Sequence, residues 1–396
     1  MSDAIRLTAV LTHPVQYVAP WFRHIAARCP EIDLTVVYGV RPDATQQGAG
    51  FGEPFLWDSP LTDGYRTRVV RPAASGERVD AASFWGLDVR GIGAAVRDTR
   101  PEVVLIPGWH SVTLVRALAS SIRHRTPVLY RGDTHGGPRS RVRHAVWSAR
   151  TWGLLRLFDG YLSVGQRTRT HLSRFGCPAS RVFDVPHCVD NAFFAAAAAL
   201  HQAPDSRAAA RRCLGVGADD FVALFVGKLA PPKRPHDVIR ALARVPGRRS
   251  ALMVGAGALS SACRAEAERL GVPAAWTGFL NQSDLGRAYA AADCLVLPSE
   301  GETWGLVVNE ALATGLPCVV SERVGCAPDL VTPGATGEVY TPDDEAALAQ
   351  ALERIRARGS AGHDWAPACR ARVARYSFEH ATAGLLAAAR AVRRRR

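Results

Sequence analysis

The hydrophobic pattern of this chain consists of short apolar runs separated by segments with helical periodicity or turn chemistry. The first series of runs comprises residues 7–11, 32–38, 103–106, 128–130, 161–164 and 182–185, and the second comprises 221–226, 251–254, 294–297, 318–320 and 339–340. Short strands that alternate with helices are typical of parallel sheets with right-handed crossovers. The pattern therefore predicts an α/β protein with two doubly wound parallel sheets and a ligand cleft at the carboxyl ends of their strands.

The interval between the two series predicts where the domains divide. It reads Val-Pro-His-Cys-Val-Asp at residues 185–190, and we place a hinge at residues 186–191. A chain of 396 residues suits two domains of roughly 150–200 residues each. We therefore predict an N-terminal domain at 1–190, a C-terminal domain at 191–375, and a final segment at 376–396 that carries a helix and a basic tail.

Composition narrows the class of protein. The hydrophobic fraction of 47% and the charged fraction of 21% are typical of a soluble globular protein. No apolar run reaches about 18 residues, and the first residues do not resemble a signal peptide, so we expect a cytoplasmic protein. Nine cysteines without a C-x-x-C pair describe neither a disulfide framework nor a zinc site.

The net charge of +13 is compatible with several kinds of partner. Nucleic acid, nucleotide phosphates, anionic lipids and an acidic acceptor would all suit it, but no basic sheet with interleaved aromatic residues or recognition helix is evident, so nucleic acid is not expected. Arginines dominate residues 139–174, around the apolar positions 146–147 and 152–157. Such a helix can lie on an anionic membrane. We favour the alternative that its apolar stripe faces the core.

The most informative stretch is LVLPSEGETWGLVVNEALATGLPCVV at residues 295–320. Its pattern predicts a strand, a polar loop, a helix and a second strand. The amino end of such a helix lies at the rim of the sheet, where its N–H groups and dipole favour an anion. Glu302 and Glu310 bracket this end, and carboxylates accept hydrogen bonds from hydroxyl groups. The pair indicates a ligand with both phosphate and hydroxyl groups, such as a nucleotide sugar.

A second stretch, LFVGKLAPPKRP at residues 224–235, follows a predicted strand. Gly227 permits a close backbone turn, and Lys228 and Lys233 lie in the loop before the next helix. Two ammonium groups beside a cleft can stabilise a departing diphosphate, because its charge grows in the transition state. Taken alone, this segment would be better interpreted as an ordinary basic loop.

Together the two stretches resemble the donor site of retaining GT-B glycosyltransferases of family four. The matching positions are Pro298, Ser299, Glu302, Gly305, Glu310, Ala311, Gly315 and Pro317, with Trp304 where the family usually has Phe and Lys228 where it has Arg. The resemblance covers residues 160–390 well and residues 1–160 loosely. It implies a GT-B fold with two Rossmann-like domains, and a final helix that crosses back onto the first domain.

The resemblance also implies a role for each site residue. Glu302 would bind the hydroxyls of the transferred sugar, Glu310 the ribose, and the backbone at 305–307 the sugar and diphosphate, while the backbone near 279–281 would hold the base. The implied donor-binding set is Gly227, Lys228, Lys233, Gly255, Leu280, Asn281, Glu302, Thr303, Trp304, Gly305, Leu306, Val307 and Glu310, of which Lys228, Lys233 and Glu302 are the catalytic candidates. Gly255 is assigned to a tight turn, since Ser260 replaces the third glycine of a dinucleotide-binding fingerprint.

Polar residues follow three predicted strands of the first domain. These candidates for the acceptor or sugar side are His13, Gln16, Tyr17, His110, Asp133 and His135. A histidine in a loop after a strand is also compatible with a purely structural role. We keep both interpretations for this group.

The expected function is retaining transfer of a sugar from a nucleoside diphosphate sugar, most simply a UDP-sugar, to a hydroxyl acceptor. A phosphate oxygen of the donor would take the proton of the acceptor, so no protein base is required, and neither a metal nor a cofactor is expected. A sugar-nucleotide epimerase shares the architecture and is the first alternative. A nucleic-acid-binding protein is the second.

Overall fold

The chain folds into two compact units. The computed structural model describes residues 4–48, 54–72, 83–138, 140–201 and 203–395. Unit 1 comprises Met1–Gln47, Ser59–Cys188 and Phe378–Arg396, and unit 2 comprises Gly48–Asp58 and Val189–Ser377. The division falls between Cys188 and Val189, the segment Phe378–Arg396 belongs to unit 1, and the segment Gly48–Asp58 groups with unit 2.

Unit 1 is built on a seven-stranded parallel sheet in the order β3-β2-β1-β4-β5-β6-β7. Its strands are β1 (Ile5–Leu11), β2 (Ile32–Arg41), β3 (Arg66–Pro72), β4 (Val103–Ile106), β5 (Val128–Tyr130), β6 (Gly160–Ser163) and β7 (Val182–Asp184). The first helices are α1 (Ala19–Arg28), α2 (Ala44–Gln47), α3 (Ile92–Asp98), α4 (Val112–Arg123), α5 (Arg141–Leu155) and α6 (Gln166–Arg174). The order reverses between β1 and β4, and an open sheet of this kind binds ligands at such a switch point.

Unit 2 contains a six-stranded parallel sheet in the order β10-β9-β8-β11-β12-β13. Its strands are β8 (Phe221–Val226), β9 (Arg249–Val254), β10 (Ala274–Gly278), β11 (Cys294–Leu297), β12 (Cys318–Ser321) and β13 (Gly337–Tyr340). Its helices are α7 (Asn191–Ala199), α8 (Pro204–Leu214), α9 (Pro235–Arg244), α10 (Ser260–Leu270), α11 (Gln282–Ala291), α12 (Leu306–Thr314), α13 (Ala327–Leu330), α14 (Glu345–Ser360) and α15 (Ala366–Val373). Its switch point lies between β8 and β11.

The last helix, α16 (Phe378–Arg393), packs on unit 1. Its buried face includes Leu385 and Ala389, which join the core cluster of β1 and α1. Gly384 lies so close to β7 that a Cβ atom there would come within 1.9 Å of the Asp184 carbonyl oxygen. The core of unit 1 is therefore completed by residues from the end of the chain.

Helix α5 differs from the interpretation favoured by its pattern. Leu155 is buried, but Val146 is 67% exposed and Trp152 is 52% exposed. The prediction of a core-facing apolar stripe is therefore wrong for these two side chains, since the helix packs through Thr151 and Leu155 instead. Within the described ranges, no helix has both the length and the apolar character needed to cross a membrane.

Asp293, just before β11, organises the amino end of the unit 2 sheet. Its carboxylate accepts hydrogen bonds from Arg207 at 2.7 Å, Arg211 at 2.8 Å and the Val222 backbone N–H at 2.7 Å. Arg211 is only 4% exposed. Loss of the carboxylate would leave a buried guanidinium without its counter-charge, which is more costly than the loss of a surface ion pair.

We predict that Asp293→Ala lowers the free energy of unfolding by about 2–3 kcal/mol, after allowance for the partial exposure of Asp293. Asp284→Ala is the matched control, because Asp284 forms only a surface pair with Arg287, and its effect should stay under about 1 kcal/mol. Urea unfolding monitored by circular dichroism measures both. Equal effects of the two substitutions would contradict this role for Asp293.

Candidate donor and acceptor sites

The two lysines lie in a loop that follows the central strand β8. Gly227 has a φ of +153°, and the Leu229 N–H donates to the Ala256 carbonyl oxygen at 3.0 Å, so the loops after β8 and β9 run side by side. A Cβ atom on Gly255 would come within 1.9 Å of the Gly227 carbonyl oxygen. Gly255 therefore permits the close approach of its backbone to Gly227. This contact positions the start of the loop that carries Lys228 and Lys233.

Lys233 forms an ion pair with Glu302, and both side chains are largely buried. The loops that carry them are also joined through the backbone, because the Glu300 N–H donates to the Pro232 carbonyl oxygen at 2.9 Å. Burial lowers the pKa of Lys228, and the nearby positive charge of Lys233 lowers it further. The structure thus brings three predicted catalytic side chains to one place at the carboxyl ends of β8 and β11.

Lys228 and Lys233 are the only two lysines in the sequence, although lysine and arginine together number 49. The basic positions elsewhere are all arginine. An ammonium group is a compact point charge, whereas a guanidinium is a planar fork that is always protonated. The use of lysine at these two positions alone is a compositional signal for the site.

The loop before α12 is held by backbone contacts. The Gly325 N–H donates to the Glu302 carbonyl oxygen and the Cys326 N–H donates to the Trp304 carbonyl oxygen, each at 2.9 Å. Gly305 then takes a φ of +100° and directs the chain into α12, which begins at Leu306. Of the other predicted donor residues here, Thr303 is exposed, whereas Leu306 and Val307 are half-buried at the amino end of the helix.

The side chain of Trp304 points into the protein. It is 4% exposed, and its Nε1–H donates to Asn309 Oδ1 at 2.8 Å. A ligand at this loop would therefore meet the backbone at Trp304 and not the indole. This burial is compatible with Trp at the position where the family that the stretch resembles usually has Phe.

Glu310 lies in α12 and is buried against α11. Tyr289 donates a hydrogen bond of 2.5 Å from its hydroxyl to Glu310 Oε2. Burial raises the pKa of Glu310 to about 7, although the bond from Tyr289 opposes that shift. The ion pair therefore joins Lys233 to Glu302, with the charge of Lys228 nearby, whereas Glu310 takes part in a separate hydrogen bond.

The predicted base-binding stretch has a neighbour that sequence reasoning missed. Phe55 stacks on Phe279 with ring centroids 3.9 Å apart, and Asn281 Nδ2 donates to the Leu56 carbonyl oxygen at 2.8 Å. Leu280 is half-buried between these two contact residues. The only signal in the sequence is the aromatic run Phe-Leu-Trp at 55–57 in an otherwise polar connection.

In unit 1, three strand ends form a second cluster. His13 Nδ1 lies 3.0 Å from Thr12 Oγ1, and burial together with the neighbouring His110 lowers the pKa of His13. Desolvation also lowers the pKa of His110, while Asp133 opposes that shift. These loops follow β1, β4 and β5, so the predicted group does assemble at one edge of the sheet.

The remaining candidates surround this cluster. Asp133 raises the pKa of Tyr17, after the larger effect of burial, and His135 Nδ1 lies 3.3 Å from the Asp133 carbonyl oxygen. Burial lowers the pKa of His135. Gln16 is half-buried in the loop after β1. The imidazoles here are therefore mainly neutral at pH 7, and Asp133 supplies the negative charge.

Two buried residues beside Asp133 were not predicted as site residues. His187 Nε2 lies 3.7 Å from Asp133 Oδ2, and Arg131 Nη2 lies 3.4 Å from His187 Nδ1. The Arg131 guanidinium also lies over the Trp21 ring at 4.7 Å. The sequence pattern marked His187 only as part of the predicted hinge at residues 186–191.

The chain is similar to known proteins in both sequence and fold. Residues 206–372 match the family described as glycosyl transferases group 1. The D-inositol 3-phosphate glycosyltransferase of Mycobacterium tuberculosis (strain ATCC 25618 / H37Rv) is 36% identical over 197 residues, which are 47% of this chain and 40% of that protein. The matched region therefore spans less than half the length of this curated relative.

Two solved structures share the fold over nearly the whole chain. Anabaena HepE in complex with UDP and glucose has a TM-score of 0.72 at 18% identity and covers 98% of this chain and 100% of that one. Sucrose-phosphate synthase from Thermosynechococcus elongatus has a TM-score of 0.73 at 18% identity and covers 99% and 100%.

The two parallel-sheet units therefore have the GT-B fold of glycosyltransferases, which confirms the predicted fold class. Residues 206–372, which lie within unit 2, are similar to the family of glycosyl transferases group 1.

The two lysines can be compared by acylation at pH 8, because every other basic side chain is a poor acylation target. Since the pKa of Lys228 is lowered, more of its amine is neutral, while the Lys233 ammonium is held by Glu302. We predict that acetic anhydride modifies Lys228 roughly three- to tenfold faster than Lys233, measured by peptide mass spectrometry.

Glu302→Gln should speed the acylation of Lys233 and narrow this difference. Glu268→Gln, at an exposed glutamate of α10, is the control and should leave both rates unchanged. Similar rates for the two lysines in the unmodified chain would contradict the described environment.

The raised pKa of Glu310 predicts a pH dependence of stability. A carboxyl group whose pKa rises from 4.5 to about 7 on folding stabilises the folded state fully below pH 4.5, and this contribution is lost as the pH rises to about 7. Glu310→Gln removes the ionisation. The free energy of unfolding of the variant, relative to the parent, should therefore rise by about 3 kcal/mol between pH 4.5 and 8.

Urea unfolding at several pH values measures this difference. Glu268→Gln, at an exposed glutamate of α10, is the control and should run parallel to the parent. A Glu310→Gln curve that also runs parallel would show that Glu310 titrates normally.

Proposed function

We propose that this chain is a retaining glycosyltransferase that moves a sugar from a UDP-sugar to a hydroxyl acceptor without a metal ion. The observation that carries the proposal is the ion pair of Lys233 and Glu302, with Lys228 beside it, at the carboxyl ends of β8 and β11. Two ammonium groups, one carboxylate and a helix amino end form an arrangement that suits a diphosphate next to a polyhydroxylated group. Support for a UDP-sugar comes from the complex of HepE with UDP and glucose.

In the proposed reaction the acceptor oxygen attacks the anomeric carbon from the same face from which the diphosphate departs. The new C–O bond forms as the bond between the anomeric carbon and the diphosphate oxygen breaks, and a phosphate oxygen takes the proton of the acceptor. Lys228 and Lys233 stabilise the charge that grows on the diphosphate. Catalysis then consists of positioning and charge stabilisation, with no protein base in the step.

Binding of the donor would change the partners of both glutamates. The diphosphate competes with Glu302 for Lys233, and the released carboxylate can accept hydrogen bonds from the hydroxyls of the sugar. Ribose hydroxyls that donate to Glu310 would favour its ionised form, because hydrogen bonds to a carboxylate lower its pKa. All of these proposed donor residues belong to unit 2. The proposed acceptor residues, around Asp133, belong to unit 1.

We predict that Lys228→Met and Lys233→Met each lower kcat about 10²- to 10³-fold, because each removes a charge that acts on the leaving group. The melting temperature should change little in Lys228→Met, whereas Lys233→Met should lower it, because that substitution leaves the Glu302 carboxylate without its ion pair. Arg212→Met, at an exposed arginine of α8, is the control and should keep full activity. The measurement is release of the nucleoside diphosphate from the sugar donor that gives the largest thermal shift among UDP-, GDP- and dTDP-sugars.

The same assay separates this proposal from others. Activity should persist in EDTA, and NMR of the product should show the anomeric configuration of the donor. An inverted product or loss of activity in chelator would contradict the retaining or metal-free mechanism. An isomerised nucleotide sugar formed from donor alone would identify an epimerase instead.

A further inference from the structure

Two neighbouring cavities in unit 1 share a wall formed by Trp147 and His171. The first, which we term the polar cavity, has a volume of about 480 Å³ and lies at the carboxyl ends of β4 and β5. The second, which we term the aromatic cavity, has a volume of about 620 Å³ and lies between the loop at 135–137, α5 and α6. A molecule that crosses Trp147 would contact both.

The polar cavity is equipped to bind hydroxyl groups. It is lined by His110 and Asp133 from the acceptor cluster and by Thr151 from α5. Thr151 is 2% exposed, and its Oγ1 has no hydrogen-bond partner among the residues that the structure describes. Because an unpaired buried hydroxyl destabilises a folded protein, such a group normally has a hydrogen-bond partner, and a ligand hydroxyl would supply one.

The aromatic cavity has a different chemistry. Phe175 and Trp147 pack edge to face with ring centroids 5.6 Å apart, and His144 lies 5.3 Å from the Trp147 ring. A Cβ atom on Gly137 would come within 2.7 Å of that ring, so the loop lies directly on Trp147. Among the described residues that line this cavity, Arg174 carries the only permanent charge. The cavity therefore favours an apolar group.

The surface beside the aromatic cavity is also apolar and basic. Trp152 lines the cavity and is 52% exposed, and Val142 and Val146 form an exposed apolar stripe with it on α5. The exposed charged side chains of this helix are all arginines, at 141, 143 and 150. An apolar group that leaves the cavity would therefore meet further apolar surface flanked by positive charge.

We propose that the two cavities bind one amphiphilic acceptor. Its hydroxyl-bearing head occupies the polar cavity beside Asp133 and Thr151, and its apolar group crosses Trp147 into the aromatic cavity. This inference rests on the proposed glycosyltransferase function and names the class of its acceptor. An alkyl chain and an aromatic aglycone both supply the apolar group, and the experiment below distinguishes them.

The test compares methyl, phenyl and octyl β-D-glucosides as probes, below the micelle concentration of the octyl compound, by isothermal titration calorimetry on the full chain. The three share one head and differ only in the apolar group. We expect the octyl or the phenyl compound to bind at least about tenfold more tightly than the methyl compound, because burial of apolar area favours binding. Tighter octyl binding assigns an alkyl chain, and tighter phenyl binding assigns an aromatic group.

Substitutions locate the binding. Ser148→Phe fills the aromatic cavity and should abolish the preference for the larger probes while the methyl compound binds as before. Trp147→Ala should reduce the same preference. Thr151→Val should weaken all three probes about fivefold, because it removes the buried hydroxyl but keeps the shape, and Thr67→Val at an exposed position of β3 is its control.

Equal affinities of the three probes in the unmodified chain would overturn the proposal, as would a preference that survives Ser148→Phe and Trp147→Ala. The thermal-shift screen of nucleotide sugars is recorded on the same samples. If a nucleotide sugar binds but the three glucosides bind with equal affinity, the proposed transferase function is retained and only the proposal of an amphiphilic acceptor is rejected. Absence of binding by any nucleotide sugar would instead remove the proposed function, and with it the acceptor role of the cavities.

Discussion

The ion pair between Lys233 and Glu302 is the interaction on which the candidate donor site depends. Either charge alone, half-buried between two loops, would be costly, and their attraction offsets much of that cost. The pair joins the loop after β8 to the loop after β11, in parallel with the backbone bond from Glu300 to Pro232. Because Lys228 is close enough for its charge to be felt by Lys233, an anion that replaced Glu302 would interact with two ammonium groups.

Backbone contacts that only glycine permits hold this cluster in place. A Cβ atom on Gly255 would meet the Gly227 carbonyl oxygen, and one on Gly325 would come within 1.9 Å of the Thr303 carbonyl oxygen. Because each contact is between main-chain atoms, the loops have little freedom to move apart while the sheet is intact. The charges are therefore presented on a rigid support, which is what electrostatic stabilisation of a transition state requires.

The sequence predicted most of the fold because the central strands are buried on both faces and appear as continuous apolar runs. The two strands that it missed, β3 and β10, are the outermost strands of their sheets. Their sequences, RTRVVRP and AAWTG, mix polar and small residues, because an outer strand is partly solvated. Pattern alone does not distinguish such a strand from a loop.

The donor side was predicted in detail because its side chains lie in two short stretches, each beside a predicted strand. The contact of Phe55 with Phe279 could not be predicted in the same way, because it joins positions more than 200 residues apart with no shared periodicity. The exposed face of α5 was also assigned incorrectly. An apolar stripe beside arginines has the same pattern whether it faces the core or solvent, and only the packing of neighbouring elements decides between them.

The packing behind the acceptor cluster also could not be predicted from the sequence. It depends on residues that are far apart in the chain, namely Trp21 in α1 and Thr382 in α16. Arg131 lies beside His187 and over the Trp21 ring, and Trp21 in turn donates a hydrogen bond of 3.1 Å from Nε1 to Thr382 Oγ1 in α16. The Trp21 ring is the electron-rich surface on which the Arg131 guanidinium lies. Because α16 holds Trp21 through Thr382, it helps to position Arg131 beside His187. The final helix therefore both completes the core of unit 1 and helps to orient Arg131 beside the acceptor cluster.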